Sequence, residues 1–195
     1  MGKLYEGIDE RLSQFIAAQK MYFVATAPLA GDGLLNLSPK GLDSFRILGP
    51  KTVAYLDLVG SGVETIAHLR ENGRIVILFC AFEGPPKIVR LHGRGESFEP
   101  GDREYDTLAP SFPERPNARA IIRIHVERIS DSCGFGVPLY QFEGERTQLD
   151  DWADRKGPEG IARYKVEKNS TSLDGLPGLL RLGEEGEGRS TRSQP

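Results

Sequence analysis

The sequence has few of the residues that form metal sites and disulfide frameworks. Its only cysteines and histidines are Cys80, Cys133, His68, His92 and His125. These residues are far apart and none has a partner at a zinc-ligand spacing, so we expect no metal site. Cys80 ends an apolar run over residues 75–80, which predicts a small buried hydrophobic side chain.

Long apolar runs are missing as well. No segment approaches the roughly 18 apolar residues of a transmembrane helix, and Met1–Glu6 lacks the apolar stretch of a signal peptide. The formal net charge is −3, which argues against nucleic acid or an anionic membrane as the main partner. We therefore expect a cytoplasmic protein that acts on a small molecule.

The remaining composition is that of a globular domain. The hydrophobic fraction is 38% and the charged fraction 27%, and we place one domain at residues 1–182. It includes a helical extension from about residue 145, with predicted helices over Leu149–Gly157 and Glu159–Lys168. The segment 183–195 contains no apolar residue and is predicted to be disordered.

Periodicity divides the domain into strands and a few helices. The predicted strands are Tyr22–Ala27, Leu34–Lys40, Thr52–Leu58, Arg74–Phe82, Lys87–Gly95 and Ala120–Ile129. The predicted helices are Ile8–Gln19, Val63–Asn72 and a short one over Arg103–Ala109. Only one link between strands contains a helix, so an antiparallel α+β fold is favoured over a doubly wound parallel sheet.

The end of the second strand is a candidate anion site. Ser38-Pro39-Lys40-Gly41 combines a hydroxyl, a cation and a glycine, which are groups that a phosphate requires. An ordinary turn at a strand end explains the same residues.

The glycine-rich segment before the second helix also has two interpretations. Gly60-Ser61-Gly62 would form an anion site at the helix N-terminus. Alternatively, Ser61 is an N-cap whose capping box is completed by Glu64. The segment matches neither the phosphate-loop pattern nor the dinucleotide fingerprint, so a Rossmann fold is excluded.

The strand Lys87–Gly95 places Ile88, Arg90 and His92 on one side. A cation and an imidazole two residues apart would contact a ring edge or an anionic substrate, or else form a solvated basic face. His68 is expected on the surface of its helix. No Ser–His–Asp or Cys–His arrangement emerges, so the catalytic residues stay unknown.

In their order and spacing these segments resemble the pyridoxamine 5′-phosphate oxidase-related, FMN-binding split-barrel family. The resemblance runs from about Leu12 to Arg128. It depends on the segments Phe23–Thr26, Asn36–Gly41, Tyr55–Asp57, Gly60–Arg74 and Leu91–Gly93. Residues 131–138 resemble an uncharacterised bacterial subgroup rather than the vitamin B6 oxidase itself.

The resemblance implies a six-stranded antiparallel split β-barrel with flanking helices, an α+β fold that forms a homodimer with FMN at the subunit interface. It assigns three groups of cofactor-binding residues. The strand that lines the flavin contributes Asn36, Leu37, Ser38, Pro39 and Lys40. The phosphate and ribityl chain are assigned to Tyr55, Asp57 and Thr65, and the isoalloxazine ring to Ile88, Arg90 and His92.

The sequence departs from the family at Glu64-Thr65, where the oxidases have an Arg-Lys pair that holds the FMN phosphate. A glutamate there would repel the phosphate at a cost of about 1 kcal/mol, so Lys40 or Arg90 would have to replace the pair, or the cofactor differs. The alternatives are a deazaflavin, a haem with His92 as ligand, or a binding module without cofactor. The oxidase's C-terminal substrate signature has no match, so we expect an FMN-dependent oxidoreductase of an unknown small molecule.

Overall fold

The structure is a computed structural model that describes residues 2–182. It is an α+β fold in which an antiparallel sheet is flanked by helices. The strands are β1 (Leu4–Tyr5), β2 (Tyr22–Thr26), β3 (Asn36–Lys40), β4 (Phe45–Gly49), β5 (Thr52–Leu58), β6 (Arg74–Cys80), β7 (Ile88–Phe98) and β8 (Ala118–Ser132). The helices are α1 (Glu10–Ala18), α2 (Glu64–Asn72), α3 (Arg103–Leu108) and α4 (Gln148–Asn169), with a 3-10 turn at Ala109–Ser111.

The strands form one sheet in the order β3-β2-β6-β7-β8-β5-β4, and β1 pairs with β8. Every pairing is antiparallel, which confirms the predicted sheet type. The sheet has 8 strands where six were expected. One addition is the short β1, and the other is β4, whose Phe45 lies opposite Tyr55 of β5.

The hydrophobic core lies between one face of the sheet and helices α1 and α2. Leu12 of α1 and Ile66 of α2 are buried against the sheet together with Val24, Ile77 and Leu91. Tyr22 and Phe79, which are buried, pack edge to face with the partly buried Phe45, with centroid distances of 5.1 Å for Tyr22–Phe45 and 5.0 Å for Phe45–Phe79. Cys80 is buried, as predicted.

The helix ends test the capping predictions. Gly73 ends α2 in the left-handed conformation at φ 69°, and its N–H donates to Leu69 O, as Asn72-Gly73 predicts. The predicted capping box at Ser61 is wrong, because α2 begins at Glu64 after Val63, which provides no side-chain cap. Helix α4 is kinked at Gly157, whose φ is 65°, so the two predicted helices are confirmed.

A β-bulge changes the pattern of β8. His92 pairs with Arg128 but Gly93 pairs with Val126, so Glu127 is an extra residue. Beyond it the alternation reverses, with Arg128 exposed and Ile129 buried. Uninterrupted alternation over Ala120–Ile129 would place Arg128 on the same face as Val126, and the bulge prevents this.

Candidate cofactor site

A buried carboxylate joins three strands at one end of the sheet. Asp57 of β5 is fully buried, and its Oδ1 accepts a hydrogen bond from Lys40 Nζ at 2.7 Å. Its Oδ2 accepts from Arg119 Nε of β8 at 2.7 Å. Arg119 Nη1 also donates to Gly62 O at 2.7 Å. The end of β3 is therefore connected to β5, to β8 and to the loop that precedes α2.

The charges of this cluster do not cancel. Burial alone would raise the pKa of Asp57, but the charges of Arg119 and Lys40 and their hydrogen bonds outweigh it and lower the pKa to about 2. Two basic side chains then share one carboxylate, which leaves a net positive charge. Asp57 and Arg119 are buried, whereas the Lys40 side chain is 21% exposed. An anion would therefore meet this charge at Lys40.

A polar row extends from Lys40 along the same face of β3. Asn36 Nδ2 donates to Thr65 Oγ1 of α2 at 2.9 Å and to Thr26 Oγ1 at 3.2 Å. Ser38 Oγ donates to Asn36 Oδ1 at 3.0 Å. Ser38 is half-buried while Thr26 and Thr65 behind it are buried. The row presents hydroxyl and amide groups supported by a buried second layer.

Two buried polar atoms behind this row have no hydrogen-bond partner among the described residues. They are the Tyr55 hydroxyl and His68 Nε2. Burial raises the pKa of Tyr55 well above its ordinary value. His68 Nδ1 lies 3.0 Å from Thr26 Oγ1, and burial lowers the pKa of this imidazole. The prediction that His68 lies on the surface is wrong.

His68 is buried because helix α2 is covered on two sides. The sheet packs on one side of the helix, and the C-terminal segment, residues 170–182, lies across its beginning. Leu173 N donates to Glu64 Oε1 at 3.3 Å, and Leu34 N donates to Asp174 Oδ2 at 2.9 Å. The Glu64 carboxylate therefore faces the chain's own C-terminal segment.

The remaining predicted residues lie on the opposite, outer face of the sheet. The pairing registers align them in two rows across five strands. One row contains Pro39, Phe23, Leu78, Arg90 and Ser130, and the other contains Leu37, Ala25, Val76, His92 and Arg128. Ile88 lies on this face as well. Each row is apolar at the β3 end and cationic or polar at the β8 end.

The structure thus divides the predicted set into two groups. Asn36, Ser38, Lys40, Tyr55, Asp57 and Thr65 come together on the inner face, whereas Leu37, Pro39, Ile88, Arg90 and His92 do not join them. Burial, and then the charges of Arg128 and Arg90, lower the pKa of His92. A neutral imidazole suits a haem ligand, and that role for His92 stays a prediction.

Sequence reasoning missed Arg119 in the inner group. It directly precedes the buried run Ala120–Ile122, and an arginine at the border of such a strand is rarely buried without an acidic partner. The acidic residue within an apolar strand is Asp57, which pairs with Ala120. Those two signals together would have identified the ion pair.

The inner group fits a flavin cofactor. The net positive charge at Lys40 suits an anionic group, and the polar row supplies hydrogen bonds. The uncapped first turn of α2 provides backbone N–H groups nearby. The antiparallel α+β architecture with a polar cluster at its edge strand is that of the split barrels.

Comparison with known proteins specifies the family. The family model for pyridoxamine 5′-phosphate oxidase matches residues 8–133. The pyridoxamine 5′-phosphate oxidase family protein ustO of Aspergillus flavus is 38% identical over 192 residues, which cover 90% of this chain and 77% of that protein. The chain therefore belongs to the pyridoxamine 5′-phosphate oxidase family.

A solved structure supports the fold assignment. A histidine-to-alanine variant of HupZ from Group A Streptococcus is similar with a TM-score of 0.51 and 25% identity, covering 64% of this chain and 99% of that one. A second HupZ structure from that source has a TM-score of 0.49 and 27% identity over 63% and 91% of the two chains. Among residues 2–182, no helix is both long and apolar enough to span a membrane.

The substitution Asp57→Asn tests the role of the buried carboxylate. It leaves Arg119 buried without its counter-charge, so we expect the free energy of unfolding to fall by about 3–5 kcal/mol. Glu96→Gln is the matched control, because Glu96 pairs with Arg123 at 2.9 Å with its side chain 64% exposed. In urea titrations the free energy of unfolding of Glu96→Gln should fall by less than about 1 kcal/mol. Equal losses in both variants would contradict the account.

The pH dependence of this stabilisation follows from the pKa of Asp57. Its value in the folded protein, about 2, is below the ordinary 3.8, so the stabilisation is present above the ordinary value and is lost as the pH falls toward 2. The difference in unfolding free energy between the wild type and Asp57→Asn should therefore be constant above about pH 5 and shrink below pH 4. Urea titrations across this range measure it, and a difference that does not change with pH would contradict the assignment.

Proposed function

We propose that the protein is a flavin-dependent oxidoreductase that binds FMN at the inner group and acts on a small molecule. The observation that carries the proposal is the net positive charge at the partly exposed Lys40 beside a hydrogen-bonding row. In a member of the pyridoxamine 5′-phosphate oxidase family this is the arrangement an anionic flavin requires.

The chain's own residues would bind and orient the cofactor. Lys40 and Ser38 would contact its anionic and hydroxyl groups, and the Asn36–Thr65 hydrogen bond keeps β3 in position against α2. When bound, the flavin supplies hydride or electron transfer, for which this site need not contain an acid–base pair.

The phosphate would be held differently from the family pattern. Glu64 replaces a cation at the start of α2, but its carboxylate contacts the C-terminal segment. The charge for a phosphate then comes from the Lys40–Asp57–Arg119 cluster, which has one more basic than acidic side chain. Vitamin B6 oxidation is not proposed, because the C-terminal substrate signature has no match in this sequence.

The outer face supports a proposed homodimer. Leu35 and Leu37 of the edge region are 81% and 68% exposed, and they continue an apolar surface over Ala25 and Val76. A contiguous apolar face of this kind is typical of a subunit interface. A second subunit on this face would bring its own residues to the edge strand β3, and with them complete the cofactor site.

The substitution Lys40→Ala tests the cofactor site. Asp57 keeps Arg119 as partner in this variant, whereas the accessible charge is lost, so FMN should bind at least about tenfold more weakly. The affinity for riboflavin, which lacks the phosphate, should fall much less. Quenching of flavin fluorescence measures both affinities.

Lys51→Ala is the matched control, since Lys51 is an exposed lysine in the turn between β4 and β5. It should leave both affinities unchanged. An unchanged FMN affinity in Lys40→Ala, or an equal loss for FMN and riboflavin, would count against Lys40 as the phosphate ligand.

The substitution Leu37→Lys tests the dimer. Burying an added ammonium group in an apolar interface is costly, so dimer dissociation should increase by at least about tenfold. Sedimentation velocity over a concentration series measures it. Leu173→Lys is the control, because Leu173 is 78% exposed on the C-terminal segment. A wild-type monomer that binds flavin stoichiometrically would refute the proposed interface.

A further inference from the structure

A non-helical arm, residues 133–147, connects β8 to α4 and lies over the outer face. It is attached to the β6–β7 turn at two points: Tyr140 N donates to Phe82 O at 2.9 Å, and Phe142 N donates to Glu83 Oε1 at 3.0 Å. Gly134 starts it with a φ of 68°, where an added Cβ would lie 3.0 Å from Lys87 N. These attachments fix the arm at a distance from the strands below it.

The arm encloses a cleft of about 900 Å3 against β2 and β3. This volume lies within the range of small-molecule sites. Aromatic rings come from both sides: Phe23 belongs to β2, Phe82 follows β6, and the arm contributes Tyr140 and Phe142. The rings of Phe82 and Tyr140 contact each other with a centroid distance of 5.5 Å. Such walls favour a flat aromatic ligand.

Three basic residues line the same cleft: Lys40, which pairs with Asp57, and also Lys20 and Arg146. Lys20 Nζ lies 5.6 Å from the centre of the Phe142 ring, and Arg146 lies at the far end of the arm. Neither side chain forms an ion pair with another residue of the described range 2–182. The two lining carboxylates are Glu83, which accepts the Phe142 N–H, and Glu145. With Lys40 included, the cleft lining contains three basic and two acidic side chains, so its balance of charge is positive.

We propose that this cleft binds a planar aromatic molecule carrying one anionic substituent, and that it is the substrate pocket of the flavin site. Its floor includes Pro39, Lys40 and Gly41, the end of the strand to which the cofactor is assigned. A ligand in the cleft and a flavin on β3 would therefore be neighbours. The role as substrate pocket rests on the proposed flavin function, whereas the binding of aromatic anions does not.

The test uses 2-naphthoate and its neutral analogue 2-naphthamide as probes in isothermal titration calorimetry on the full chain. Naphthoate should bind more tightly than naphthamide, and the double variant Lys20→Gln, Arg146→Gln should remove that preference. Phe142→Ala should weaken both probes by about tenfold. Phe135→Ala is the matched control, since Phe135 is 81% exposed on the same arm but does not line the cleft.

The titration is repeated with saturating FMN. Naphthoate binding that persists beside FMN supports a substrate pocket, whereas displacement by FMN would overturn it by showing that the cleft is the flavin site. Absence of naphthoate binding, or an equal effect of Phe135→Ala and Phe142→Ala, would overturn the site itself. If the protein binds naphthoate but no FMN, the proposed function fails while the aromatic-anion site stands.

Discussion

The buried ion cluster of Asp57 with Lys40 and Arg119 is the interaction on which the rest of the structure depends. It places an ionised carboxylate in the interior and surrounds it with two basic groups from different strands. Through Arg119 and Gly62 it also fixes the loop that positions α2. Because a buried charge is costly without its partners, the same contacts that connect β3 to β5 and β8 also define the accessible positive charge of the site.

At the edge strand β3, one face of the sheet is polar and the other is apolar. Asn36, Ser38 and Lys40 point to the polar inner group, and the alternate residues Leu37 and Pro39 point to the apolar outer face. The chain therefore presents the predicted contacts on both sides of β3. The proposed cofactor site shared between two subunits would explain why a single chain exposes both.

The fold was predictable from sequence because it depends on local alternation and turn chemistry. The hairpin of β2 and β3, the apolar β6 and the glycine stop of α2 follow from such patterns. The sequence predicted the inner group only in part and placed His68 wrongly on the surface. Both Arg119 and His68 are buried by residues far away in the chain. The bulge at Glu127 was missed for a related reason: one extra residue reverses the alternation without a local signal.

The absorption spectrum of the freshly purified protein tests whether the Lys40–Asp57–Arg119 cluster binds a flavin. If it does, the protein should show the two visible bands of an oxidised flavin and release one FMN per chain on denaturation. A Soret band would instead identify a haem protein on this fold. A colourless protein that takes up no FMN on reconstitution would contradict the assignment of the Lys40–Asp57–Arg119 cluster as a flavin site.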